Sequence, residues 1–285
     1  MAGVLSGRAA GMERKSRIVL QQRRHRRART LDRTARSIGQ IVMFIFFGLS
    51  SAVMSALAVP IYSIVVRDPA RRARGVRRMV RRAMRGYVDG LRALRLIDLE
   101  VSGLERAATP GALVVANHPS LIDALILLAY LDDAIVIAKP ALRANPFLSA
   151  SIRGANYVVN DDAVALIDAC RARIDAGQAL LLFPECTRTA ADGTVRLRRG
   201  AAQIAVRSGC PVVPVTIVFS EPLLTKQSRW WLAPRRRPRV RVIAHAPIAS
   251  APFVHASESV SIAARRLTAH LQDFYAKELT RREPA

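Results

Sequence analysis

Residues 112–123 read ALVVANHPSLID. The run Leu113-Val-Val-Ala116 has no polar alternation, which fits a strand buried on both faces, as in parallel sheets covered by helical crossovers. Pro119 and Ser120 then open a helix predicted over residues 120–131. His118 therefore stands at a strand-to-helix turn on the edge of the sheet, where α/β folds hold their active sites. Asp123 comes one helical turn after Pro119, close enough to accept a hydrogen bond from one ring nitrogen. Such a bond fixes the tautomer and raises the basicity of the other nitrogen. A His oriented by an Asp is the base half of a triad. The spacing demands no Ser or Cys nucleophile, so the base would act on a substrate hydroxyl. The same spacing also fits a plain capping or core pair.

Residues 179–189, ALLLFPECTRT, repeat the arrangement. Pro184 stops an apolar strand, and Glu185, Thr187 and Arg188 gather where the chain turns. An arginine suits a phosphate because it offers paired donors, and Glu185 is placed to hold that guanidinium. The alternative is an exposed Glu/Arg pair of little energetic worth.

Further out, apolar runs at 134–138, 157–159, 212–219 and 240–243 alternate with helical stretches at 163–176 and 199–208. A terminal helix over 257–279 carries Ile262, Leu267, Leu271, Phe274 and Tyr275 as its apolar set. The expected fold class is α/β: a mixed, largely parallel central sheet flanked by helices, with an N-terminal membrane-binding helical segment. Three regions follow: a basic arm at 1–40, a membrane hairpin or span plus a basic amphipathic helix at 41–98, and a catalytic domain at 99–285.

The N-terminal region is read from charge. Between Arg23 and Arg36 the chain is dense in arginine with Asp32 as its single acid, which suggests a solvated or disordered arm. Residues 41–66, IVMFIFFGLSSAVMSALAVPIYSIVV, are uncharged and long enough to cross a bilayer. No small-residue cleavage site follows before more arginines, so the run is kept as part of the mature protein. Both flanks are basic, and the positive-inside rule holds both in the cytoplasm, which favours a monotopic hairpin broken at Gly48-Leu-Ser-Ser51 over a single span. After Pro69, Val76, Met79, Val80, Ala83, Met84, Tyr87, Val88 and Leu91 share one helical face opposite a face of arginines. Such a helix either lies on an anionic leaflet or packs on the core, and the adjoining apolar run favours the leaflet.

The chain has 285 residues, 51% of them hydrophobic, and a formal net charge of +24 that implies an anionic partner. Nucleic acid is the other anionic candidate, but the aromatic content of 5% leaves little for base stacking. Cys170, Cys186 and Cys210 have no CxxC spacing and make an odd number, so neither a disulfide framework nor a metal site is expected.

Together the motifs resemble the lysophospholipid acyltransferase family, typified by bacterial 1-acylglycerol-3-phosphate acyltransferases. The first family block matches Asn117, His118 and Asp123, and the third matches Phe183, Pro184, Glu185, Thr187 and Arg188. The fourth matches Val213-Pro214-Val215, while Lys139-Pro-Ala-Leu142 and Asn145-Pro-Phe147 resemble a further stretch. The resemblance runs from Leu99 to Phe219. It implies acyl transfer from acyl-CoA or acyl-carrier protein to the hydroxyl of a lysophospholipid such as 1-acyl-sn-glycerol-3-phosphate, on the cytoplasmic face of a membrane rich in anionic lipid. His118 and Asp123 would be catalytic. Asn117, Lys139, Glu185, Thr187, Arg188 and Pro214 would serve the substrates, with no metal and no cofactor beyond the acyl donor.

Two positions depart from the family pattern. Its second block ends in Asp-Arg, whereas Gly154 to Asn160 is followed here by Asp161 and Asp162, which suggests an acceptor with less phosphate or with an amine, of aryl polyene or ornithine lipid type. Cys186 replaces a glycine, so an altered loop and a small buried thiol are expected. A non-catalytic basic membrane or nucleic-acid-binding protein is the remaining alternative.

Overall fold

The computed structural model describes residues 30–190 and 192–281. The arginines at 23–29 and the rest of the basic arm before residue 30 lie outside them. A seven-stranded sheet has the order β1-β7-β6-β2-β5-β3-β4. Its strands are β1 (Asp98–Ser102), β2 (Leu113–Ala116), β3 (Ile135–Ala138), β4 (Val158–Val159), β5 (Leu180–Leu182), β6 (Val212–Phe219) and β7 (Arg239–Ala244). All neighbours are parallel except β6 and β7. The largely parallel sheet follows from the sequence: residues 113–116 are all wholly buried, so helices must cover both faces. β1 escapes sequence reading because DLEVS offers only Leu99 and Val101 as apolar signals.

Helices α2 (Pro69–Ala93) and α3 (Asp123–Tyr130) cover one face, together with the core residues Val114, Ala116, Val213 and Val215. Helices α6 (Ala163–Asp175), α7 (Gly200–Ser208) and α8 (Val260–Thr280) cover the other. Short helices α4 (Pro140–Ala144) and α5 (Ser149–Gly154) join β3 to β4. Tyr275 of α8 is wholly buried and its hydroxyl donates to the Val115 carbonyl at 2.5 Å, which bolts α8 to the sheet behind β2.

The N-terminal segment differs from the expected hairpin. One continuous helix, α1 (Thr30–Val65), runs for 36 residues, about 54 Å at 1.5 Å per residue. The backbone does not break at Gly48 to Ser51. Instead, a π-helical turn at Met54–Ala58 widens the helix. That turn absorbs residues that would otherwise rotate the pattern around the axis. The chain reverses at residues 66–68, where the Asp68 side chain accepts the Arg71 N–H at 2.6 Å and Pro69 starts α2. Arg33 and Arg36, expected in a loose arm, are part of α1.

α1 and α2 lie antiparallel along their length. Gly39 faces Leu94 and Leu96, Gly90 faces Met43, the Phe47 and Tyr87 rings meet at 5.6 Å, and Gly75 faces Tyr62. The apolar face of α2 is therefore inside the protein: Val76, Val80, Met84, Tyr87, Val88 and Leu91 are buried in the same core as β2 and β6. This corrects the membrane-lying reading of α2, whose packing against α3 satisfies its apolar stripe first. α1 is the helix left with an uncovered stripe, since Ile38, Val42, Ile45, Leu49, Val53, Leu57, Ile61 and Ile64 are all exposed.

Candidate active site

The loops after β2 and β5 meet at the C-terminal edge of the parallel strands. His118 Nδ1 lies 3.0 Å from Asp123 Oδ2, and the Ser120 N–H donates to the same oxygen at 2.7 Å. Asp123 is 0% exposed and its Oδ1 has no hydrogen-bond partner among the described residues, whereas the His118 side chain is 20% exposed. Burial pushes the Asp123 carboxyl up to about 6, against the lowering pull of His118 and the Ser120 N–H. The carboxylate fixes Nδ1 and leaves Nε2 as the basic nitrogen. The Phe183 ring covers the imidazole, with centroids 4.4 Å apart.

Glu185 has a different part from the expected one. Its Oε1 accepts the His118 backbone N–H at 2.8 Å and the Thr189 hydroxyl at 2.9 Å, and the Thr189 N–H donates to the His118 carbonyl at 2.7 Å. These bonds tie the two loops together, so Glu185 positions His118 instead of holding Arg188. Burial raises its carboxyl, opposed by the His118 N–H and the Thr189 hydroxyl. Arg188 is anchored elsewhere: its Nη1 donates to the carbonyls of Leu224 at 2.8 Å and Thr225 at 2.9 Å.

Asn117 is also a positioning residue. Its side chain is buried, donates to the Ile217 carbonyl at 2.8 Å and accepts the Ile217 N–H at 2.7 Å, which extends the β2–β6 pairing by one side chain. Both ends of the amide are engaged, which corrects the expected substrate contact. Pro214 is not brought to the site, because it pairs with Val115 in mid-sheet and is buried there. Thr187 and Lys139 are exposed. Leu180 is level with both Leu113 and Ile135, so β2, β3 and β5 end along one edge of the sheet.

Cys186 adopts φ +57°, the left-handed conformation that favours glycine, and its thiol is exposed, which overturns the expected buried thiol. At the second block Asn160 is exposed and Asp161 is paired with Arg143 at 3.1 Å. Sequence reading missed Thr189 as a brace, although it stands four residues after Glu185. It also missed the segment around Leu224, for which no local signal exists.

The family described as Acyltransferase matches residues 98–218, the stretch that holds His118, Asp123, Glu185 and Arg188. Residues 98–218 are therefore similar to an acyltransferase-family domain. Among relatives, a 1-acyl-sn-glycerol-3-phosphate acyltransferase of Helicobacter pylori is 30% identical over 119 residues, 39% of this chain and 50% of that protein. The alpha form of that enzyme from Mus musculus is 29% identical over 183 residues, 56% of this chain and 63% of its own length. A chloroplastic relative from Brassica napus is 29% identical over 156 residues, 52% of this chain and 44% of its own length. The chain spans about half the length of the curated relatives it matches. The crystal structure of the 1-acyl-sn-glycerophosphate (LPA) acyltransferase PlsC from Thermotoga maritima has the same fold. It aligns with a TM-score of 0.64 at 23% identity, covering 88% of this chain and 100% of that one. The matched stretch places its His–Asp pair on the sheet edge that a parallel α/β fold leaves open to ligands.

Proposed function

We propose that the protein moves a fatty acyl group from an acyl thioester, of CoA or acyl-carrier protein, to the hydroxyl of a lysophospholipid. The observation that carries this is the partly exposed imidazole of His118, held by a wholly buried Asp123 and braced through its own backbone by Glu185. His118 Nε2 takes the proton of the acceptor hydroxyl as that oxygen bonds to the thioester carbonyl carbon. Asp123 Oδ2 stabilises the imidazolium that forms. The carbon–sulfur bond then breaks, and the departing thiolate takes the proton back from Nε2. Neither a metal nor an acyl-enzyme enters these steps. Arg188 has guanidinium donors beyond Nη1, and these serve an acceptor or donor phosphate.

The relatives' names support 1-acyl-sn-glycerol-3-phosphate as acceptor. The exposed Asp161–Arg143 pair at the second block favours a second reading, in which the acceptor carries less phosphate or an amine, because Asp161 occupies Arg143. The protein acts from a membrane surface at its cytoplasmic face. Since α1 is packed lengthwise on α2, crossing a bilayer would drag the polar domain with it. α1 therefore lies in the membrane plane with its exposed stripe in the leaflet. Purified protein with labelled acyl donors and a panel of lysolipids tests the assignment. Transfer to lysophosphatidic acid above all others supports the first acceptor, and preference for an amine-bearing lysolipid supports the second. No transfer to any lysolipid contradicts both.

A further inference from the structure

The chain has two tryptophans, Trp230 and Trp231, which are neighbours and are 48% and 46% exposed. They sit in residues 228–237, SRWWLAPRRR, a stretch with four arginines and no acid. The two indoles meet edge-on at 5.6 Å, and Trp230 meets Phe44 of α1 at 5.3 Å.

The backbone under these rings is fixed by α1. Gln40 donates to the Trp230 carbonyl, Arg33 to that of Ala233 at 2.9 Å, and Arg36 to those of Pro234 at 3.0 Å and Arg235 at 3.1 Å. The Ala233 N–H returns a bond to Ser37 Oγ at 3.0 Å. This stretch is therefore a rigid platform held against α1. Indole rings favour the headgroup level of a bilayer, where an apolar body and an N–H donor are both satisfied. Arg229, Arg235 and Arg236 are exposed around them, and guanidinium groups pair with lipid phosphate.

We propose that residues 228–237 form a second docking element, which seats Trp230 and Trp231 among the headgroups of an anionic leaflet while the flanking arginines hold its phosphates. This rests on the reading of α1 as a membrane-facing helix and extends it to a surface that no acyltransferase motif contains. The consequence reaches the active site through the chain. Upstream of the platform, the Leu224 carbonyl accepts the Leu121 N–H at 3.2 Å as well as Arg188 Nη1. Docking thus sets the height of the membrane relative to His118, so that a lysolipid can offer its hydroxyl without leaving the surface.

Because these are the chain's tryptophans, intrinsic emission of the full-length protein reports on the platform itself. With phosphatidylglycerol vesicles the expected result is a blue shift, with stronger quenching by lipids brominated near the headgroup than by those brominated at the chain ends. Trp231→Ala, at an exposed site, should weaken vesicle partitioning by about tenfold. Vesicle co-sedimentation with unchanged tryptophan emission would overturn the docking element and leave the α1 reading standing. No co-sedimentation at all would overturn both. An emission shift with DNA but not with vesicles would replace the leaflet by nucleic acid.

Discussion

At the scale of single residues, the dyad sets activity against stability. Asp123 ionises near pH 6 in the fold and near 3.8 in an unfolded chain, so across that window the native state keeps a proton the unfolded state has lost. Its folded pKa is raised. The stabilising effect of that retained proton is therefore present below about 3.8, falls as pH rises, and gives way above about 6 to a penalty of about 3 kcal/mol. Asp123→Asn removes the buried charge while keeping the shape. Thermal unfolding across the pH range should show the variant's melting temperature close to wild type at the acid end and higher above about pH 6, whereas a pH-independent difference would refute the assignment. Its kcat should fall by on the order of a hundredfold or more, because the imidazolium loses its counter-charge. Wild-type activity should rise with pH through an acid limb near 6, as Asp123 becomes charged.

At the scale of elements, the seam between α1 and α2 decides how the N-terminal helix sits. A Cβ on Gly75 would strike the Tyr62 ring, whereas one on Gly86 would meet nothing. Gly75→Val should therefore lower stability by about 1–3 kcal/mol through overpacking, and Gly86→Ala should raise it by up to about 1 kcal/mol through helix propensity. Calorimetric melting of both variants tests this, and equal effects would mean that Tyr62 of α1 is not seated on Gly75. Strands β2 to β7 and helices α3, α6, α7 and α8 were legible in the sequence because their apolar runs are long and bounded by Pro, Gly or charge. The α1–α2 turn was not. Gly48 and Ser51 look like a break, but Phe47 packs on Tyr87 and Ser51 is buried, so tertiary contact holds the helix through them. The stripe of α2 was legible as a pattern and ambiguous as to partner, since a leaflet and a protein core ask for the same periodicity.

At the scale of the molecule, a charge of +24 and an uncovered apolar stripe act on the same surface by different laws. Co-sedimentation with phosphatidylglycerol vesicles should weaken as salt rises to about 1 M, where the screening length falls to about 3 Å, yet persist through the stripe of α1. Complete release at high salt would leave electrostatics alone and contradict burial of that stripe. Site residues were legible by type but not by partner. Glu185 and Arg188 lie three residues apart, and the sequence pairs them, but folding sends one to the His118 backbone and the other to carbonyls 36 and 37 residues away. Such distant choices depend on packing that no local pattern encodes. The account as a whole stands on His118 Nε2 as the base. The direct measurement is acyl transfer to lysophosphatidic acid and to an amine-bearing lysolipid by wild type and His118→Ala at equal folded concentration, with vesicle binding as a control. The account predicts that vesicle binding is kept and transfer falls by on the order of a hundredfold or more; transfer within a few-fold of wild type would contradict it.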